Sequence, residues 1–150
     1  MKIAMGSDEA GFDLKNQIKE YIEAKGHEVV DTGCYSKDPV LYPEMAEAAC
    51  KKIVDGEGER GILVCGTGIG MAMTANKMPG IRAAVGHDIF SVERAVLSNN
   101  AQVICFGARI VAFQYVTRLV DKFLELSYID GPSTPKIECM MNIENKYAGR

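Results

Sequence analysis

The sequence has no Cys-x-x-Cys pair, and neither of its two histidines stands at metal-ligand spacing from any of the five cysteines, at 34, 50, 65, 105 and 139. An odd set without paired spacing argues against both a zinc module and a disulfide framework, so neither is expected. No apolar run approaches the ~18 residues of a membrane span. Met1-Lys2-Ile3-Ala4-Met5 reads as a strand rather than a leader peptide, and a cytoplasmic protein is expected. A basic excess is missing as well. The formal charge of −3 argues against nucleic acid or an anionic membrane as a partner, because both demand a cationic face, while small anions can still bind locally. Repeats and low-complexity tracts are absent.

What is present fits one globular domain over 1–150: 150 residues, 47% hydrophobic and 25% charged, are enough to bury a real core. Short β-branched runs alternate with helical spacing. Strands are expected at 2–6, 27–32, 61–65, 81–85 and 102–106. A helix with Leu14, Ile18, Tyr21 and Ile22 on one face stops at Gly26, and a second carries Met45, Ala46, Ala49, Cys50 and Ile53. Further helices are expected over 71–77, 89–97 and 111–126. Asp130-Gly131-Pro132-Ser133-Thr134-Pro135 then breaks the chain before a last helix over 136–147, so that 130–150 forms a tail suited to packing on another subunit. Strands alternating with helices call for an α/β fold, a doubly wound five-stranded parallel sheet covered on both faces, with ligands outside the carboxyl ends of the strands. That rule singles out the loops 7–11, 65–70, 86–88 and 107–109.

The central loop is Cys65-Gly66-Thr67-Gly68-Ile69-Gly70, after the buried run Gly61-Ile62-Leu63-Val64. Unpaired backbone N–H groups and the positive end of the helix dipole favour a thiolate, a phosphate or a developing enediolate there. A thiol at a helix N-terminus is readily ionised, which makes Cys65 the candidate base. Other readings of the loop stand beside this one. Glycine-rich turns often serve backbone geometry alone. A dinucleotide site lacks the third glycine of G-x-G-x-x-G, although Asp88 lies at the distance of a ribose-binding acid. A P-loop would need Gly-Lys-Ser/Thr, and a cysteine phosphatase would need an arginine where Met71 stands. A thiol, the Thr67 hydroxyl, a row of backbone donors and Asp8 from the first strand end suit proton transfer between adjacent carbons of a hydroxy-carbonyl compound, by isomerisation, epimerisation or aldol chemistry. Asp8 can equally cap the first helix, and Arg109 can pair locally rather than hold phosphate.

Residues 1–8, Tyr42-Pro43, Gly61 to Gly70, Ala75-Asn76-Lys77, Gly80-Ile81-Arg82-Ala83 and Phe106-Gly107-Ala108-Arg109 together resemble the ribose-5-phosphate isomerase B and galactose-6-phosphate isomerase family. The resemblance implies a three-layer Rossmann-like or flavodoxin-like sheet, no cofactor, and aldose–ketose isomerisation of a small phosphorylated sugar through an enediolate. It also implies a homodimer or dimer of dimers with intersubunit active sites. By position it implies Cys65 as the proton-transferring group and Thr67 with the amides of Gly66, Gly68, Ile69 and Gly70 as the enediolate cradle. Asp8, Asn99 and Arg109 match substrate-contacting positions.

The chain departs from the family in three places. Asp8-Glu9 stands for the usual Asp-His, which puts Glu9 among the substrate-binding candidates. Ser98 holds the place of the ring-opening histidine, and Pro132 and Lys136 hold those of two phosphate-binding arginines, leaving Lys136 as the tail cation. A tetrose 4-phosphate needs no ring opening, because the oxygen that would close its ring is esterified. The stretch from His87 to Ala95, followed by Ser98-Asn99-Asn100-Ala101-Gln102, is also similar to the branch acting on erythrulose 4-phosphate. That substrate class is expected, with ribose 5-phosphate as the rival. His87 is either a proton donor to the carbonyl oxygen or a solvated loop histidine. Two other readings are a non-catalytic sugar-phosphate-binding subunit and a nicotinamide enzyme dependent on Asp88.

Overall fold

A computed structural model of the chain describes residues 1–149. Five strands alternate with helices: β1 (Lys2–Ser7), α1 (Phe12–Glu23), β2 (Glu28–Asp31), α2 (Tyr42–Val54), β3 (Arg60–Cys65), α3 (Ile69–Ala75), β4 (Ala83–Val85), α4 (Ile89–Leu97), β5 (Val103–Gly107), α5 (Phe113–Glu125) and α6 (Thr134–Tyr147). Every strand pairing is parallel, in the order β2-β1-β3-β5-β4. The doubly wound sheet of the sequence reading is therefore the fold, but its last two strands are exchanged relative to a flavodoxin-like 2-1-3-4-5 order. Burial explains the exchange. All five residues of β5 are buried, whereas the three of β4 are half-buried, so the apolar strand takes the interior place and the short one the edge.

The two faces of the sheet carry separate cores. Ile3, Met5, Ile62, Val64, Ile104 and Phe106 point to the face covered by α1, α4 and α5, while Ala4, Leu63, Cys65, Val103 and Cys105 meet α2 and α3. This division is the period-two alternation of strands buried on both sides, each large side chain contributing roughly 1.5–3 kcal/mol. Below the second face lie Cys50 and Cys105, whose thiols burial pushes up, that of Cys50 to about 12. They are core residues that stay protonated at neutral pH.

Some boundaries shift from the sequence reading for local reasons. Residues 81–82, expected in a strand, lie outside β4 because Ile81 N–H donates to Met78 O at 3.1 Å and Arg82 N–H to Gln102 Oε1 at 2.9 Å instead of entering the ladder. Helix α3 ends at Ala75 with Asn76 as its cap. The Asn76 side chain then bonds both the N–H and the C=O of Ala83 at 2.8 Å. Asp8 does not cap α1, whose N-cap is Gly11. The Asp8 carboxylate instead accepts the Gly11 N–H at 3.0 Å inside the preceding turn.

Candidate active site

The exchanged strand order sets the carboxyl ends of β1, β3 and β5 side by side, so the loops bearing Asp8, Cys65 and Arg109 meet. Cys65 pairs with Gly107 across the sheet, and the chain folds back there through Ala108 N–H to Cys65 O at 2.8 Å and Arg109 N–H to Gly66 O at 3.1 Å. Cys65 is 6% exposed. Its sulfur points up into the loop, where it accepts the Gly68 N–H at 3.1 Å. That bond exists because Gly68 takes φ +77°, a left-handed conformation open to glycine, as the N-cap of α3. The Thr67 hydroxyl oxygen accepts the Ile69 N–H at 3.3 Å, which leaves its own proton to donate. Among the described residues the amides of Gly66, Thr67, Gly70 and Met71 donate to no protein acceptor. The result is a thiol beneath four unpaired N–H groups at the positive end of a helix, a ready cradle for anionic oxygens.

Two carboxylates, Asp8 and Glu9, and one guanidinium, Arg109, act on one another around the loop. The Arg109 side chain crosses the loop so near Gly66 that a β-carbon there would stand 3.1 Å from Nη1. Burial raises the Asp8 pKa, with the charge of Glu9 adding to it and the Gly11 N–H and Arg109 opposing. Glu9 is held below the usual carboxylate range by its own backbone N–H and that of Val40, and by Arg109. The Glu9 carboxylate accepts the Val40 N–H at 3.2 Å, so it fastens the loop before α2. Tyr42 follows that loop as the first residue of α2, and its ring lies against the cradle at a place only glycine leaves open: a β-carbon on Gly70 would sit 2.6 Å from Tyr42 Cε2. Tyr42 was not among the site residues expected from sequence, and the Tyr-Pro pair at the start of α2 was the signal for it.

Deeper support comes from Lys15, 1% exposed, which donates to Asp31 at 2.7 Å and to Cys34 O at 2.9 Å, tying α1 to the start of the same loop. His87 leans from the edge strand to accept the Gly107 N–H on Nε2 at 2.8 Å. Nε2 is thereby an acceptor, and only Nδ1 is left to carry a proton. Burial lowers the His87 pKa, partly offset by Asp88, so the ring is neutral. Asp88 uses both oxygens on Ser91 as the cap of α4, at 2.7 Å to N–H and 2.5 Å to Oγ, a local role that accounts for this acid. Among the described residues no group of three or more His, Cys, Asp or Glu side chains is placed to hold a metal ion. No helix among them is long and apolar enough to cross a membrane.

Cys65, Thr67, the glycine amides, Asp8, Glu9, His87 and Arg109 therefore gather at one pole of the chain. Asn99 and Lys136 do not join them. Asn99 lies in the turn from α4 into β5, at the amino ends of the strands. It borders a cavity of about 590 Å³ shared with Arg82, Met140, Met141 and Glu144. Helix α6 is fixed there by Gly80 N–H to Glu144 at 2.9 Å, and Lys136 stands exposed on its first turn.

Residues 3–140 match the Ribose/Galactose Isomerase family. The chain is 46% identical over 142 residues to D-erythrulose-4-phosphate isomerase of Pectobacterium atrosepticum, covering 92% of this chain and 91% of the relative. It is 42% identical over 146 residues to ribose-5-P isomerase B of Listeria innocua, covering 97% and 99%. The solved structure of ribose-5-phosphate isomerase B from Clostridium thermocellum superposes with a TM-score of 0.97 at 34% identity, over 99% of this chain and all of that one. A match over nearly the whole length, in sequence and in backbone alike, makes the chain a member of the ribose/galactose isomerase family of sugar-phosphate isomerases.

Proposed function

We propose that the chain interconverts a four-carbon ketose 4-phosphate and its aldose through a cis-enediolate, with Cys65 as the base. The observation that carries this reading is the sulfur itself, aimed by the Gly68 N–H into a cradle of unpaired amides. The thiolate removes the proton from the carbon beside the carbonyl. The cradle amides and the Thr67 hydroxyl donate to the two oxygens as charge develops on them, and the thiol returns the proton to the neighbouring carbon. Asp8, with its pKa raised by burial, moves the remaining proton between the two oxygens.

The four-carbon substrate is favoured by the relative named for erythrulose 4-phosphate and by Ser98, which has no imidazole to open a ring. Ribose 5-phosphate is the rival, supported by the relative and the solved structure named for it. Asn99 and Lys136 reach the substrate from a second copy of the chain. Apolar Ile69 and Met73, 54% and 64% exposed on α3 beside the cradle, are the surface on which that copy packs. The active form is thus a homodimer with each site shared.

The test is deuterium uptake at the carbon beside the carbonyl, followed by NMR in deuterium oxide with erythrulose 4-phosphate, ribulose 5-phosphate and a six-carbon ketose 6-phosphate. Fastest exchange with the four-carbon ketose, abolished in Cys65→Ala, is expected. Binding without exchange of any of the three would replace the reading by a non-catalytic binding subunit, and fastest exchange with ribulose 5-phosphate would move the substrate to five carbons.

A further inference from the structure

We propose that His87 is a positioning residue for the cradle: as a neutral acceptor it holds the Gly107 N–H, and through Gly107 it sets where Cys65 and Thr67 stand. The proposal rests on the reading above, in which those two residues carry the proton transfer.

The need for such a group comes from the shortness of the edge strand. Strand β4 ends at Val85, opposite Cys105, and Gly86 N–H adds one more bond, to Cys105 O at 3.2 Å. In a parallel ladder the next bond runs from Gly107 N–H to Gly86 O. Here it runs to His87 Nε2 at 2.8 Å. The imidazole thus stands in for a backbone carbonyl at the point where the edge strand has run out. Gly107 is buried, so its N–H has to find an acceptor inside the protein.

The end of β5 is also the floor of the cradle. A β-carbon on Gly68 would lie 3.0 Å from the Phe106 carbonyl carbon, and one on Gly107 would lie 2.7 Å from Thr67 Cα, so loop and strand touch backbone to backbone. On its other side Gly107 is paired with Cys65, and the residues after it are tied back by Ala108 N–H to Cys65 O and Arg109 N–H to Gly66 O. A shift of Gly107 therefore displaces the Thr67 hydroxyl, the Gly68 N–H that aims the sulfur, and Arg109 together. Misplacing reacting groups by about 1 Å costs about 10²-fold in rate, which is the scale of what the imidazole protects.

The rival role for His87 is proton donation to the carbonyl oxygen. A histidine with that role begins as imidazolium, with a proton on Nε2. That proton would face the Gly107 N–H, donor against donor. Burial disfavours the charged ring as well, and the Asp88 carboxylate, which favours it, does not reverse the balance. The acceptor role needs only the neutral ring already in place.

The experiment compares the wild type with His87→Gln, whose carboxamide oxygen reaches the place of Nε2, and with His87→Phe, which keeps a planar ring without an acceptor. Ring ¹⁵N NMR reads the tautomer, and the chain has only two histidines to assign. Amide hydrogen exchange reads Gly107. Kinetics, far below the Tm of each protein, use whichever ketose phosphate exchanges fastest. The wild type is expected to carry its His87 proton on Nδ1 with Nε2 bare. His87→Phe should speed Gly107 exchange and lower kcat, each about 10- to 100-fold, with KM within about threefold. His87→Gln should bring both back to within about threefold of the wild type. A folded His87→Phe protein with wild-type kcat overturns the proposal, since a purely structural hold would leave turnover alone. Equal losses in the two variants overturn it in favour of a proton donor, and so does a protonated Nε2 in the wild type. Should His87→Phe fail to fold, His87→Gln decides: kcat within about threefold supports the acceptor role, and a loss beyond about tenfold overturns it. A bare Nε2 and faster Gly107 exchange in His87→Phe, in a protein that turns over no sugar phosphate, would sink the isomerase reading while supporting the hold on Gly107.

Discussion

Replacing Cys65 by alanine separates the stability of the cradle from the proposed chemistry, in which the same sulfur is the base. It accepts the Gly68 N–H at 3.1 Å and fills a place in the core with 6% of the residue exposed. Its loss leaves that N–H without an acceptor, at about 1–3 kcal/mol, and removes one packed heavy atom, at roughly 1 kcal/mol. Water entering the opened cradle brings the first figure to its lower end, so about 2–3 kcal/mol is expected. At about 2–4 °C per kcal/mol for a chain of this length, Tm falls by roughly 4–12 °C. Cys65→Ser keeps an acceptor and recovers part of that. Activity responds on another scale: removing a general base costs about 10²–10⁴-fold in turnover, far beyond what a protein still folded at 25 °C loses through stability. Thermal denaturation and deuterium exchange, run on the same sample, read the two effects. A folded Cys65→Ala protein that exchanges within about tenfold of the wild type refutes the assignment of the base.

The Asp8 pKa is raised on folding by burial, so this carboxyl favours the folded state below its unfolded value of 3.8 and costs stability once pH rises through its folded value. Asp8→Asn therefore raises Tm at pH 7, leaves it nearly unchanged at pH 3, and lowers kcat; equal Tm shifts at both pH values would contradict the cause given. Glu9→Ala releases Val40 N–H, and hydrogen exchange should rise about 3- to 10-fold over 34–41 with KM increased more than kcat, whereas Glu9→Gln keeps the acceptor and restores both. Lys15→Met strands Asp31, which is 13% exposed, and should cost about 3–5 kcal/mol at pH 7. Burial raises the Asp31 pKa, but Lys15 and the Gly33 N–H outweigh it and the net shift is downward, so this contribution is present above 3.8 and fades as pH falls through the lower folded value; acid titration of both proteins by circular dichroism should show the gap closing. Mixing Cys65→Ala with Asn99→Ala chains under exchange should restore about a quarter of wild-type activity, since half of the dimers are mixed and each then holds one intact site. No recovery would place Asn99 outside the site.

The parts of the molecule that the sequence made legible are those governed by local chemistry. Helix α4 falls on 89–97 as its pattern requires, because Asp88 and Ser91 form a cap that nothing distant disturbs. The apolar run into Cys65 likewise becomes a buried central strand, and Gly68 turns the chain into α3. Tertiary decisions were harder to read. The exchange of β4 and β5 depends on which strand is more apolar across the finished sheet. That the Glu9 carboxylate also fastens Val40 N–H, thirty-one residues on, is a contact between distant segments that local pattern does not show.

The separation of Asn99 from Cys65 has a different cause, and it bears on how the site is built. In a parallel sheet, turns that lead from strand to helix and turns that lead from helix to strand lie on opposite edges. Cys65 follows β3, and Asn99 precedes β5. No adjustment of loops within one chain brings them together, because the length of the sheet lies between them. If both touch one substrate, the second must come from another copy, turned so that its amino edge faces this chain's carboxyl edge. Two-fold symmetry supplies that arrangement twice over, one site per cradle. The cavity beside Asn99 and the exposed Ile69 and Met73 of α3 are then the two halves of a single contact. A charged residue at Met73 should separate the copies and abolish exchange while leaving each chain folded, as read by size-exclusion chromatography and circular dichroism. Monomers that still exchange at the wild-type rate would show that Cys65 needs no partner and that Asn99 takes no part.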